Sequence, residues 1–290
     1  MRRIFLGLLL FATLGLFAQG ENNLYSFSFK KIGDQIDISR PVFLNSFNTG
    51  AYNNQPYFTD KKSIYVSSQL KGTEQTDIYA LNLYNRTKSR VTQTPEAEYS
   101  PRLRPGTVAF NCVRVEADGV TQRLWQFPTN QSSQGRPLFP DVKNVGYFHW
   151  LDADRVAFFL VGEPHSLAIG DTNDGSIKNI TSNIGRGLGS APDGELLFVQ
   201  KLSESTWYIK KLNPETGKSS ILVETLDGSE DFVVIDDSIF MAQGTKIYSC
   251  KMEGSRSWKE VADLKAYGLQ KITRMAFNGD RVLVLVDSRS

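Results

Sequence analysis

Six short apolar strings recur along this chain at a nearly constant interval. They read IYVSS from Ile64, VAFNC from Val108, VAFFL from Val156, LLFVQ from Leu196, IFMAQ from Ile239 and VLVLV from Val282, with successive spacings of 44, 48, 40, 43 and 43 residues. A period of ~40–45 residues is that of a four-stranded blade. Such a unit cannot bury both of its faces alone, so its copies must stack. Each string follows a turn: Asp60-Lys61-Lys62, Pro105-Gly106, Asp152-Ala153-Asp154, Pro192-Asp193-Gly194, Asp236-Asp237 and Asn278-Gly279-Asp280. Asn, Asp and Gly tolerate the backbone angles of tight hairpins. The strings are therefore expected to be second strands, each entered from a hairpin.

A second register agrees with the first. Apolar anchors at Ile78, Leu124, Leu167, Tyr208 and Ile247 follow at a similar period. They mark third strands, followed by polar turns such as Asn173-Asp174-Gly175 and by fourth strands such as Ser219 to Val223. The sixth unit lacks its third and fourth strands, because the sequence stops at Ser290 soon after VLVLV. The missing half stands at the other end. Leu24 to Phe29, the turn at Ile32-Gly33-Asp34 and Gln35 to Ser39 repeat the pattern of Ile78 to Val91. The expectation is an all-β, six-bladed β-propeller closed by N-terminal strands that complete the last blade. Such closure removes exposed sheet edges.

Within Tyr52 to Leu103 the order N-x-Q-P-x-F, IYVSS, DIYALNL, RVTQTP and EYSP resembles the WD40-like (PD40) repeat of TolB-type propellers. The match is sharp in this blade and continues elsewhere as hydrophobic pattern. The resemblance implies an exported bacterial propeller that binds protein and carries out no chemistry. TolB also has an N-terminal α/β domain, for which this chain has no room, so docking through that domain is not carried over.

The first residues fit export. Met1-Arg2-Arg3 is basic, Ile4 to Phe17 is almost wholly apolar, and Ala18-Gln19-Gly20 offers small residues for cleavage. This is the pattern of a secretory signal peptide over residues 1–20, with the propeller over 21–290. The apolar run is too short to cross ~30 Å of hydrocarbon, and no later segment has the ~18 apolar residues of a membrane helix. After signal cleavage the chain is thus not expected to span a membrane, and its place is periplasmic or secreted. Formal net charge is +2 with no block of like charge, which argues against nucleic acid. The only cysteines, Cys112 and Cys250, fall in different blades and are expected to be free, buried thiols.

In a propeller the first strand of each blade lines the central channel, and the segments leading into first strands gather on one face. Those segments are Tyr52 to Gln55, Glu98 to Ser100, Val145 to Tyr147, Gly185 to Gly187, Glu230-Asp231 and Lys271 to Arg274. Candidate contacts for a partner are Asn53, Gln55, Tyr99, Tyr147, Arg186, Glu230 and Arg274. Each also has a plain structural reading. Asn53 and Gln55 can tie blade to blade, since buried amides are mostly satisfied within the protein. Tyr99 can pack beside a proline, and the aromatic run Tyr147 to Trp150 can serve blade packing. The glycines around Arg186 read as a flexible turn; no helix follows them, so they do not form a phosphate loop.

Catalytic signatures are absent from the sequence. There are two histidines, His149 and His165, too few for a multi-imidazole metal site. No G-x-S-x-G elbow occurs. Acidic pairs such as Asp236-Asp237 sit in turns, where Asp is favoured for backbone reasons. Asn85, Asn130 and Asn179, each in an N-x-[ST] string, read as ordinary turn residues. No catalytic residue, metal or cofactor is therefore expected. The expected role is a non-enzymatic scaffold binding a protein or peptide of envelope or secretion machinery. The alternative is a carbohydrate-binding or carbohydrate-active propeller that uses the channel mouth.

Overall fold

The structure is a computed structural model that describes residues 20–289. The signal peptide expected over residues 1–20 lies outside the described residues, Gly20 excepted. Among the described residues, 24 strands form six sheets of four. The chain opens with β1 (Asn22–Ile32) and β2 (Gln35–Phe43). Blade 1 is β3–β6 (Asn53–Phe58, Ser63–Gln69, Thr76–Asn82, Lys88–Arg90), and blade 2 is β7–β10 (Ala97–Leu103, Ala109–Val115, Gln122–Pro128, Arg136–Pro137). Blade 3 is β11–β14 (Val145–Trp150, Arg155–Leu160, Ser166–Asp171, Ile177–Ser182), and blade 4 is β15–β18 (Ile184–Ser190, Leu196–Lys201, Trp207–Leu212, Ser219–Glu224). Blade 5 is β19–β22 (Phe232–Ile235, Ser238–Gln243, Lys246–Lys251, Lys259–Asp263). The last sheet runs β23 (Ile272–Phe277), β24 (Val282–Ser288), β1, β2.

That last sheet closes the ring as expected. β1 lies antiparallel to β24, from Asn22 opposite Ser288 to Ser28 opposite Val282. β2 then covers the far edge of β1, with Phe29 opposite Ile38. Two parts of the chain separated by the whole sequence thus share one blade.

The hydrophobic core is a ring of six interfaces rather than a single centre. Each cluster joins two neighbouring blades. Ile78 and Val91 of blade 1 meet Phe110 and Phe127 of blade 2. Leu197 and Ile209 of blade 4 meet Phe232 and Ile239 of blade 5. The seam between the chain ends has its own cluster, in which Leu24, Val284 and Val286 pack on Ile64, Val66 and Leu81. Second strands are buried on both faces, so β12, β16, β20 and β24 read as unbroken apolar runs instead of alternating ones.

The hairpins are held by side chains as well as by backbone. Asp60 accepts the amides of Lys62 and Ser63 at 2.6 and 2.8 Å. Asn278 accepts those of Asp280, Arg281 and Val282 within 3.0 Å. Gly194 and Asp236 take φ of 85° and 52°, the left-handed region that tight turns demand. Cys112 lies in β8 and Cys250 in β21, both free and buried. Two readings need correction. Val108 stands just ahead of β8 and is exposed, because the strand proper starts one residue later. Asn179 lies on β14, not in a turn.

Candidate functional site

The first strands β3, β7, β11, β15, β19 and β23 surround one channel. Its waist, about 70 Å³, is lined by residues of all six, among them Tyr57, Arg102, Tyr147, Arg186, Asp231 and Arg274. Toward the side where blades 5 and 6 begin, a mouth of about 440 Å³ shares Arg186, Asp231 and Arg274 with the waist. On the other side, a mouth of about 540 Å³ shares Tyr57 and Arg102 with it and adds His149 and Ser190.

The segments leading into the channel are not loops. Tyr99, Tyr147, Arg186 and Arg274 all lie within first strands. The correction is plainest at Gly185 to Gly189, which belongs to β15 rather than to a flexible turn. Its glycines are there for close approach. A Cβ on Gly187 would stand 2.0 Å from the Glu230 carbonyl, and one on Gly189 would stand 2.9 Å from the Phe232 ring. The first strand of blade 5 therefore presses directly on the backbone of blade 4.

Two repeat-equivalent sites share a local device. Gln55 and Ser100 each precede a proline and each have φ near 55°. Each also sits in a register shift, between Asn54 and Tyr57 and between Tyr99 and Arg102. The bulge re-aims the strand at the channel. It also brings the blades together: the Ser100 amide donates to the Gln55 side chain at 2.9 Å and to Ser67 Oγ at 3.1 Å.

The candidate residues divide into frame and rim. Asn53 is fully buried. Its amide nitrogen donates to the carbonyls of Asn22, Asn48 and Ala51, and its oxygen accepts from Asn48 and Ser68. With Gln55 it belongs to the frame, which is the structural reading of both amides. Glu230 is a brace between blades: it accepts the Arg186 amide at 2.8 Å and the Lys201 ammonium at 2.6 Å. Burial would raise its carboxyl, but the Lys201 hydrogen bond and the Arg186 amide outweigh that and hold it below the usual range. Of the remaining four, Tyr147, Arg186 and Arg274 line the waist, and Tyr99 packs against the core cluster between blades 2 and 3. Tyr99 meets Tyr52 edge to face at 6.3 Å. Arg274 lies 4.8 Å above the Tyr147 ring and 3.4 Å from Asp231. Arg186 reaches the Thr273 carbonyl at 3.5 Å, while its Nε is buried without a partner.

Three wall residues are not among the candidate contacts drawn from the sequence. Arg102 stands one residue past the bulge proline, as Tyr57 does in blade 1, and repeat alignment of these two phrases was the available signal. Asp231 accepts the Met275 amide at 3.1 Å. Burial raises its carboxyl, against the pull of Arg274, Arg186 and Arg102. His149 Nε2 lies 2.7 Å from Ser190 Oγ, the nearest approach to a catalytic pair. Burial, helped by Arg102, pushes that imidazole down to about 3. Its Nδ1 has no partner to orient the ring. Among the described residues no group of His, Cys, Asp and Glu could hold a metal ion.

Six four-stranded blades around a polar channel, closed by pairing of the two chain ends, define this chain as a six-bladed β-propeller. Its architecture is TolB-like. A structure described as a putative TolB from Agrobacterium tumefaciens superposes with a TM-score of 0.68 at 12% identity, covering 94% of this chain and 99% of that one. TolB from Acinetobacter baumannii gives 0.61 at 16% identity, over 92% of this chain and 64% of that one. A puromycin-hydrolysing peptidase from Mycobacterium tuberculosis gives 0.58 at 10% identity, over 82% of this chain and 45% of that one. Identities this low speak to the fold alone. No protein-family profile and no curated protein matches the sequence.

Proposed function

We propose that this is an exported, non-enzymatic propeller that binds a protein or peptide at the channel rim, as a scaffold of envelope or secretion machinery. The observation that carries the reading is the rim itself. Tyr99, Tyr147, Arg186 and Arg274 stand half-buried on rigid first strands, braced by Glu230 and Asp231. Tyr and Arg are the residue types most often found as hot spots, and a preformed strand rim orders little on binding. The leader pattern at residues 1–20 and the TolB-like architecture support a periplasmic setting. Among the described residues no helix is long and apolar enough to cross a membrane.

Chemistry finds little support at this site. A general base works best with a pKa near the operating pH, and His149 lies far below it. The peptidase neighbour has more than half of its chain outside the aligned propeller. The test is crosslinking and pull-down from the native envelope fraction with a Tyr99→Ala/Arg186→Ala variant, beside a Tyr84→Ala/Arg86→Ala control on the exposed outer turn of blade 1. Loss of a discrete crosslinked partner in the first variant alone is expected. Equal recovery by a folded rim variant would remove this face, and metal-dependent turnover of a glycan or peptide would overturn the non-enzyme reading.

A further inference from the structure

Among the described residues, the channel wall carries an excess of positive charge. Three guanidiniums, Arg102, Arg186 and Arg274, face the waist against one carboxylate, Asp231. They come from β7, β15 and β23, the first strands of blades 2, 4 and 6. Alternate blades of a six-bladed ring place them in a threefold arrangement about the axis. Tyr57 of blade 1 and Tyr147 of blade 3 stand between them.

Their partners do not use them up. Arg274 is shared between Asp231 and the Tyr147 ring face. Arg186 makes a single long contact to a carbonyl and keeps a buried, unpartnered Nε. The Arg102 guanidinium lies 5.5 Å over the Tyr57 ring, and among the described residues that side chain has no ion pair and no hydrogen bond. Glu230, the next acid, is already taken by Lys201. Burial works against the charged form of Arg102, and Arg274 adds to that effect. Unpaired cations in a confined space are costly, and an anion placed among them removes that cost through charge-assisted hydrogen bonds.

We infer that the channel waist is a binding site for one small oxyanion, a carboxylate or an inorganic ion such as phosphate. Planar guanidinium forks match both geometries bidentately, and three forks around one axis converge on a single group. The waist, about 70 Å³, is the narrow part of the channel, between mouths of about 440 and 540 Å³. A carboxylate borne on a partner segment would enter from the rim; a free oxyanion would enter from either mouth. The inference goes beyond the partner reading, because Arg102 lies on the far side of the waist from the rim.

Titration calorimetry at constant ionic strength tests it, with sodium chloride as baseline. The probes are sodium phosphate, the capped peptide acetyl-Gly-Glu-Gly-amide and its Gln counterpart. One saturable site is expected for phosphate, for the Glu peptide, or for both, and none for the Gln peptide. Phosphate alone points to a free oxyanion, and the Glu peptide alone to a carboxylate carried by a partner. Arg102→Gln should weaken binding at least about tenfold, the loss of one hydrogen bond to a charged group. Arg281→Gln, in the exposed turn between β23 and β24 and not among the waist residues, should leave it unchanged. Arg186→Gln serves in the same way if Arg102→Gln does not fold. Absence of saturable binding by wild type, or equal affinity in a folded channel variant, would overturn the inference.

Discussion

The backbone carbonyl of Glu230 stands 2.0 Å from the place a Cβ on Gly187 would occupy. Backbone cannot yield as a flexible side chain can, so blades 4 and 5 must separate to admit even a methyl group. Gly187→Ala is expected to destabilise the protein by about 3 kcal/mol, at or beyond the upper end of ordinary overpacking. Gly189→Ala should cost less, because its neighbour is the Phe232 ring. Urea unfolding of the two variants checks the order, and a Gly187 variant as stable as wild type would contradict this account of the interface.

Ring closure gives a second expectation. Deleting residues Gln35 to Arg40 removes most of the strand that covers β1 and takes Ile38 from the cluster holding Phe29, Phe240 and Leu285. An exposed edge and an opened core should then weaken the whole ring, because each blade is supported by its neighbours. Thermal unfolding followed by circular dichroism should show a lowered, broadened transition. An unchanged melting temperature would show that β2 is dispensable.

Glu98 provides a pH signature. It is fully buried beside the Arg114 guanidinium at 3.1 Å, with Thr94 donating to the same carboxylate oxygen. Burial dominates and raises its carboxyl to about 7, against the pull of Thr94 and Arg114. Between the ordinary glutamate value near 4.5 and that value, the folded state keeps a proton the unfolded chain has lost. This group's contribution therefore falls as pH rises through that window, by at most about 1.4 kcal/mol per unit. Glu98→Gln should flatten the stability profile between those limits while keeping an acceptor for Arg114. Parallel profiles for the two proteins would refute the assignment.

The thiols should report the blades that hold them. Cys112 is buried with its thiol pushed well up, first by burial and then by Glu98. Cys250 is likewise raised by burial. Since the thiolate is the reactive form, the folded protein should resist a thiol reagent at pH 8. Unfolding in urea without reductant should release two equivalents. Detecting none would mean a disulfide and would break the assignment of the cysteines to blades 2 and 5.

Much of the fold could be read from local pattern. Strings such as VAFFL and VLVLV are unbroken apolar runs because second strands are buried on both faces, and a repeat of such runs admits few solutions. Even the closure was legible, since the missing half-blade after Val286 and the spare half-blade at Leu24 to Ser39 are complementary. Side-chain roles fared differently. Asn53 reads from the sequence both as a partner contact and as a tie between blades, and it is the most enclosed of the candidates, because its register position turns it toward Asn22 and Asn48.

What the sequence determined by itself was the number of blades, their strand order and the way the ring shuts. These follow from hydrophobic period and turn chemistry, which act within some forty residues. Only the tertiary structure decided what the residues between the strings do. Gly185 to Gly189 reads as a turn because glycine usually marks one; the blade interface makes it a strand that must lack side chains. Arg102, Arg186 and Arg274 are separated by 84 and 88 residues, about two repeats each time. No local pattern connects them. They meet because the ring returns every second blade to the same axis, and charge acts through space rather than along the chain.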